Sequence, residues 1–131
     1  MASMRAYIVE DSEIVRVRLA LLLAKIEGVE LVGQAGSVRV ATENILRLQP
    51  DVALVDIKLS DGNGLDLLES IQVQGLKTMA IVMTFDPHPQ YRKRAMELGV
   101  AHFIDKAKEL GNIQLILGQM VAEQHVILKA A

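Results

Sequence analysis

The stretch that most constrains the fold is Asp51-Val-Ala-Leu-Val-Asp56, followed by Ile57-Lys-Leu-Ser-Asp-Gly-Asn-Gly64. An apolar run from Val52 to Val55 ends on a carboxylate, and a loop with two glycines follows. A short unbroken apolar run bounded by turn signals reads as a strand covered on both faces, the signature of a parallel sheet. In such sheets ligands sit outside the carboxyl ends of the strands. Asp56 is therefore expected at the mouth of a site.

The remaining chain supplies the partners such a strand needs. Arg5–Val9 reads as a first strand. Ser12 or Asp11 then caps a helix from Glu13 to about Ile26, with Val15, Leu19, Leu22 and Ile26 on one face and Gly28 ending it. Glu30–Ala35 is a weaker second strand. A helix follows Gly36-Ser37, carries Ala41, Ile45 and Leu48 on one side, and stops at Pro50. Beyond the opening stretch, a third helix begins at Leu65–Ile71 and closes at Gly75. Met79–Thr84 is a fourth apolar strand and Asp86–Pro89 a rigid loop. Tyr91–Leu98 is a short charged helix ended by Gly99, Val100–Ile104 is strand five, and a last helix runs from Asn112 to Lys129. Five strands alternating with five helices predict one α/β domain with a doubly wound, five-stranded parallel sheet. The expected order is 2-1-3-4-5, the flavodoxin-like topology. Met1-Ala-Ser reads as a cloning remnant ahead of Met4.

Composition removes several classes of function. The 131 residues suffice for a single core without staples. They are 51% hydrophobic, yet no run approaches the roughly 18 to 20 residues of a membrane span. There is no secretory pattern at the start. The absence of cysteine rules out disulfides and thiolate metal sites and fits a reducing, cytoplasmic setting. A net charge of −2 with both signs interspersed gives no footprint for nucleic acid. His88, His102 and His125 have no ligand-like spacing.

In a doubly wound sheet, the polar groups that end successive strands gather at one edge. Here these are Glu10 and Asp11, Asp56, Thr84 and Lys106. Strands one and three are neighbours in the expected order, so Glu10, Asp11 and Asp56 share a concavity. Two carboxylates about 4 Å apart repel by roughly 4 kcal/mol at an effective dielectric of 20. Three ionised ones need compensation, which a hydrated divalent cation such as Mg²⁺ supplies. A carboxylate can act as nucleophile and form an aspartyl-phosphate. The cation, the Lys106 ammonium and the Thr84 hydroxyl can neutralise or hydrogen-bond phosphoryl oxygens.

This set of residues resembles the receiver domain of bacterial two-component response regulators. The matching features are Glu10-Asp11, Asp56 with Gly64 downstream, Thr84, and Phe103-Ile-Asp-Lys106. The resemblance covers essentially the whole chain, with residues 4–131 as the receiver and no output domain. It implies that Asp56 is the phosphoacceptor, with Thr84 and Lys106 on the phosphoryl group. Glu10, Asp11, Asp56 and the Lys58 carbonyl would hold Mg²⁺, or Mn²⁺ in its place. Phe103 would be a switch residue that rotates inward when Thr84 is drawn to the site. The phosphodonor would be a histidine kinase or phosphotransfer protein. The protein would catalyse only its own phosphorylation and dephosphorylation. Its signal would pass to an output domain, a protein partner or a second copy through helix four, strand five and helix five, with no direct contact to nucleic acid or membrane. Three positions depart from the pattern. Ala107 stands where a cis proline is usual, Ser60 replaces a common proline, and Phe85 puts a large ring where a small residue is the rule.

At the rim, Lys58 and Asp86 follow Asp56 and Thr84 by two positions. Their opposite charges predict a pair across the mouth that hinders attacking water. In the last helix, Ile113, Ile116, Met120 and Ile127 form one apolar stripe, and Leu115, Ala122 and Val126 a second that could meet a partner. The methionines read as core filler, His88 as a loop residue and Lys108 as a solvated surface group. Two other functions compete. A Mg²⁺-dependent aspartyl-phosphate phosphatase would need a general acid where Lys58 stands. A flavin module would need a phosphate-binding loop after strand one.

Overall fold

The computed structural model describes residues 3–130, with side chains as far as Gln124. Its frame is a five-stranded parallel sheet in the order β2-β1-β3-β4-β5. The strands are β1 (Met4–Val9), β2 (Val29–Ala35), β3 (Val52–Asp56), β4 (Met79–Thr84) and β5 (His102–Asp105). Helices α1 (Glu13–Ala24), α2 (Val38–Leu48), α3 (Gly64–Val73) and α4 (Pro89–Glu97) lie between them, and α5 (Lys106–Glu109) and α6 (Asn112–Ala130) follow.

The unbroken apolar run of β3 has the predicted cause, since both faces of the sheet are covered. Ala53 and Val55 face one core with Tyr7, Ile45, Leu68 and Val82. Val52 and Leu54 face the other, where Leu19 and Leu23 of α1 meet Ile113 and Leu117 of α6. Every residue of β3 is buried. Replacing Leu54 by Ala would cost about 2–5 kcal/mol, because a fully buried side chain leaves a cavity behind.

Ser12 caps α1 as expected, and short polar side chains also start α2 and α3. The Ser12 and Ser37 hydroxyls accept from the amides of Val15 and Val40, each at 3.3 Å. The Asn63 side chain accepts from Leu65 at 2.7 Å and opens α3. Pro50 disfavours right-handed helix at the residue before it, and Gln49 takes a left-handed conformation with φ 47°. Arg5 donates to the freed Leu48 and Gln49 carbonyls at 2.7 and 3.3 Å, tying the end of α2 to β1.

Several elements differ from their expected number and bounds. There are six helical segments among the described residues rather than five, because Lys106–Glu109 forms a short helix of its own. Asp105 caps it by accepting from the Ala107 amide at 2.9 Å, and Glu109 accepts from the Asp105 amide at 3.2 Å. A proline at position 107 would have no such amide to give. Helix α4 begins at Pro89 rather than Tyr91, since proline suits the first helical position, where an amide would be unsatisfied. Strand β5 starts at His102 rather than Val100, and α1 ends at Ala24 rather than Ile26. Met4, Met83 and Met120 are buried, but Met79 and Met96 are exposed, so the core-filler reading fails for those two. In α6, Ile113 and Met120 face the core and Leu115 faces outward, while the side chains of Val126 and Ile127 lie outside the described set. Among the described residues, no helix is long and apolar enough to cross a membrane.

Candidate functional site

Strand register sets the geometry of the site. Val9 pairs with Val55, Asp56 with Met83, and Thr84 with Asp105. Glu10 thus lies level with Asp56 at the carboxyl edge, while Thr84 and then Lys106 step one residue further out. A cleft of 640 Å³ lined by Asp51, Thr78, Met79 and Gln124 opens at the opposite end and takes no part in this constellation.

At the carboxyl edge, Lys106 joins the first strand to the third. Its ammonium donates to Glu10 Oε1 and lies 3.0 Å from Asp56 Oδ2. All three side chains are nearly inaccessible, at 2% for Lys106, 1% for Glu10 and 8% for Asp56. Burial of this kind is tolerated only when charges are paired and hydrogen-bonded. The other Glu10 oxygen accepts from the Ser12 amide at 3.1 Å. The Phe85 ring closes over the ammonium, 4.9 Å from it, with its own surface 63% exposed. The large ring noted in the sequence therefore roofs Lys106.

Asp11 completes the acidic group from the solvent side. Partial burial pushes its carboxyl pKa above the usual value, and the neighbouring Glu10 carboxylate adds to the rise. One oxygen from each of Glu10, Asp11 and Asp56 falls within 4.8 Å of the others. Three carboxylates gathered this closely offer hard oxygen donors from two neighbouring strand ends. The donor set thus fits a hard divalent cation.

Thr84 is buried, but its hydroxyl is occupied locally. It accepts from the Asp86 amide at 3.0 Å and donates to the Asp86 carbonyl at 3.2 Å. Lys58 and Asp86 meet across the mouth at 2.9 Å. Their hydrogen bond lowers the Asp86 pKa and raises that of Lys58. Phe103 is half-buried, and the Arg92 guanidinium from α4 lies 4.5 Å over its ring.

These features sit at the carboxyl end of a sheet whose sequence pattern matches one family model, that of the response regulator receiver domain, over residues 6–117. The chain belongs to the response-regulator receiver family. Among curated relatives of this receiver, a protein-glutamate methylesterase/protein-glutamine glutaminase of Caulobacter vibrioides is 31% identical over the whole chain and 38% of its own length. The response regulator GacA of Pseudomonas aeruginosa is 28% identical over 94% of the chain and 58% of its own length. The chain therefore spans less than two thirds of either relative. The fold is shared with the response regulator domain of Thermotoga maritima CheB, at a TM-score of 0.80 and 23% identity, covering 92% and 95% of the two chains. It is also shared with a LuxR-family response regulator of Staphylococcus aureus, at 0.83 and 20%, covering 90% and 98%.

Arg16 and Asp61 support the site without a sequence signal, and Gly64 supports it in a way its pattern alone does not show. Arg16 reaches back from α1 and donates to the carbonyls of Glu10 at 2.6 Å and Asp11 at 3.1 Å. Gly64 was noted only as part of a pattern, yet it packs directly on the site backbone. A Cβ there would stand 2.1 Å from the Asp56 carbonyl oxygen. Asp61 leaves its loop to accept from the amides of Val38 and Arg39, which holds its pKa below the usual carboxylate value. Only Gly64 carried a local signal, a glycine just past a helix-capping Asn.

Proposed function

We propose that this receiver accepts a phosphoryl group on Asp56 from a phosphohistidine of a histidine kinase or phosphotransfer protein, in a Mg²⁺-dependent step that alters partner or output binding. The observation that carries the reading is Lys106 buried between Glu10 and Asp56, with Asp11 completing the acidic cluster. In the transfer, an Asp56 carboxylate oxygen attacks phosphorus, the phosphorus–nitrogen bond breaks, and the imidazole leaves with that electron pair. Glu10, Asp11, Asp56 and the Lys58 carbonyl would hold Mg²⁺, which neutralises charge building on the phosphoryl oxygens. Lys106 would move from its carboxylate partners to a phosphoryl oxygen. Thr84 would release the Asp86 backbone and donate its hydroxyl to another. Leaving its local bonds would vacate the ground beside Phe103, and the ring would rotate inward away from Arg92.

The Lys58–Asp86 pair supports a role in phosphoryl lifetime, because it stands where water must approach. It also weighs against an aspartyl-phosphate phosphatase, since the position for a general acid holds an ammonium already bound to a carboxylate. Full switching of a two-state element requires roughly 5.5 kcal/mol of differential stabilisation. A phosphoryl group adds about −2 charge to bias it. The output governed would be a domain or partner docked on α4, β5 and α6.

The test is intact mass after incubation with acetyl phosphate and Mg²⁺. Native protein should gain one phosphoryl group and Asp56→Asn none. Equal labelling of both would overturn the assignment.

A further inference from the structure

We propose that Asp61 is a positioning residue for the divalent cation, acting by tying the loop after Asp56 to the start of α2. The proposal rests on the reading of Asp56 and the acidic cluster given above.

The loop from Ile57 to Asn63 carries the Lys58 carbonyl, the one backbone oxygen assigned to the cation. A loop of this length with Ser60 in place of proline has little intrinsic stiffness, since serine leaves φ free where proline would fix it. The fold supplies stiffness in other ways. Lys58 and Asn63 pair in a two-residue antiparallel ladder, together with Leu59 and Gly62. The Gly64 amide donates to the Ile57 carbonyl at 2.8 Å and closes the base. Those bonds are internal, and by themselves they leave the hairpin able to move as a unit.

Asp61 at the tip ends that freedom. Its two carboxylate oxygens accept separately from the first two amides of α2, Val38 at 2.7 Å and Arg39 at 3.1 Å. The first turn of a helix has amides without internal partners and a positive dipole end, so a carboxylate there is held by charge as well as by hydrogen bonds. The α2 cap does not need Asp61, because Ser37 already accepts from Val40. Gly62 lies flat against the same helix, where a Cβ would stand 3.1 Å from Val38 Cγ2. The tether is thus anchored by two bonds to a helix outside the site. On the other side Lys58 is anchored to Asp86. The carbonyl between these anchors is held in place before a cation arrives, and preorganisation of a ligand is what sets affinity.

Two orthogonal variants test this. Asp61→Ala removes the acceptor. Val38→Pro removes one donor while keeping the Asp61 charge, so it separates tethering from long-range electrostatics. Proline is suited to the first helical position, and Ser37 is already extended, as the residue before proline must be. Calorimetric Mg²⁺ titration of the unphosphorylated full chain should show each variant binding about 10-fold more weakly than native protein, the low end for supporting partners of a metal site. The double variant should bind no more weakly than either single one. The maximal rate of Asp56 labelling at saturating Mg²⁺ should be unchanged, and thermal melting should confirm folding. Unchanged Mg²⁺ affinity in both variants, or a labelling defect that saturating Mg²⁺ leaves in place, would overturn the proposal. Should Asp61→Ala not fold, Val38→Pro and Asp61→Asn carry the comparison. A native protein that binds no Mg²⁺ and takes no label would instead overturn the reading of the site.

Discussion

Replacing Lys106 by Met tests how the acidic cluster is held together. The buried Glu10 and Asp56 carboxylates, with oxygens within 4.8 Å, repel by about 3.5 kcal/mol or more at an effective dielectric of 20, and solvent-facing Asp11 adds a screened share. The Lys106 ammonium, 3.0 Å from Asp56, returns about 5.5 kcal/mol on the same scale and at least as much from Glu10. The attraction thus offsets the repulsion, and neither survives alone. Met keeps the length and apolar contact of the side chain but leaves buried carboxylates uncompensated. Losing one partner of a buried pair costs about 3–5 kcal/mol, a large part of the stability of a small domain. The assay is urea unfolding of Lys106→Met and native protein at pH 7 and pH 5, with and without Mg²⁺. In the variant one carboxyl should hold a proton in the folded state at a pH where the unfolded chain has lost it. Stability then falls as pH rises through that window, so the deficit should be largest at pH 7 and smaller at pH 5. Mg²⁺ at 100 times its dissociation constant adds about 2.7 kcal/mol to any state that binds it. It should bind the variant more tightly than native protein, where the ammonium competes. A deficit equal at both pH values and untouched by Mg²⁺ would refute the reasoning.

Gly64→Ala should force the loop away from the Asp56 carbonyl, since the added carbon would sit 2.1 Å from that oxygen. A displacement of about 1 Å can cost 100-fold in rate, so phosphoryl labelling should fall by about that factor while circular dichroism stays near native. Asp11 has a raised folded-state pKa, so its ionisation costs stability above that value and the cost vanishes as pH falls. Asp11→Asn should therefore melt higher than native protein at pH 7 without Mg²⁺, lose that advantage in acid, and bind Mg²⁺ far more weakly. Lys58→Ala should shorten the phosphoryl lifetime. The pair is intact from above the usual Asp value of 3.8 up to the usual Lys value of 10.5, so the difference should be flat between pH 5 and 9. Leu115→Glu should weaken partner capture or lower the mass in solution, and an unchanged result in both measurements would remove the α6 face as an interface.

The parts of this structure legible in the sequence are those with a local cause. Met79–Thr84 is an unbroken apolar run with a polar end, and its limits follow from that alone. Helix starts at Ser12 and Ser37 are equally local, because a hydroxyl satisfies amides three residues ahead. What stayed hidden depends on distant chain. Nothing near Asp61 indicates that its carboxylate caps a helix 22 and 23 residues earlier. Arg16 carries no sequence signal, since its target is a pair of backbone carbonyls and backbone leaves no trace in composition. Thr84 stands at the expected strand end, and what its residue type does not reveal is that its hydroxyl bonds the amide and carbonyl of Asp86. Asp105 lies one residue past the expected strand, yet it ends β5 and also caps α5, a role that exists only because Ala107 has an amide to offer.

The bond from Lys106 to Glu10 joins residues 96 positions apart. On the ribosome the acidic pair and Asp56 emerge first, and the only buried cation among the described residues that serves them arrives after four-fifths of the chain. A partly made receiver would have its carboxylates with nothing to hold them together, so nucleation must rest on the apolar strands and nearby helices. Contacts of such long sequence separation are slow to form because chain entropy is spent before they return anything. The acidic cluster therefore gains its ammonium only when the segments that follow β1 and β5 have met.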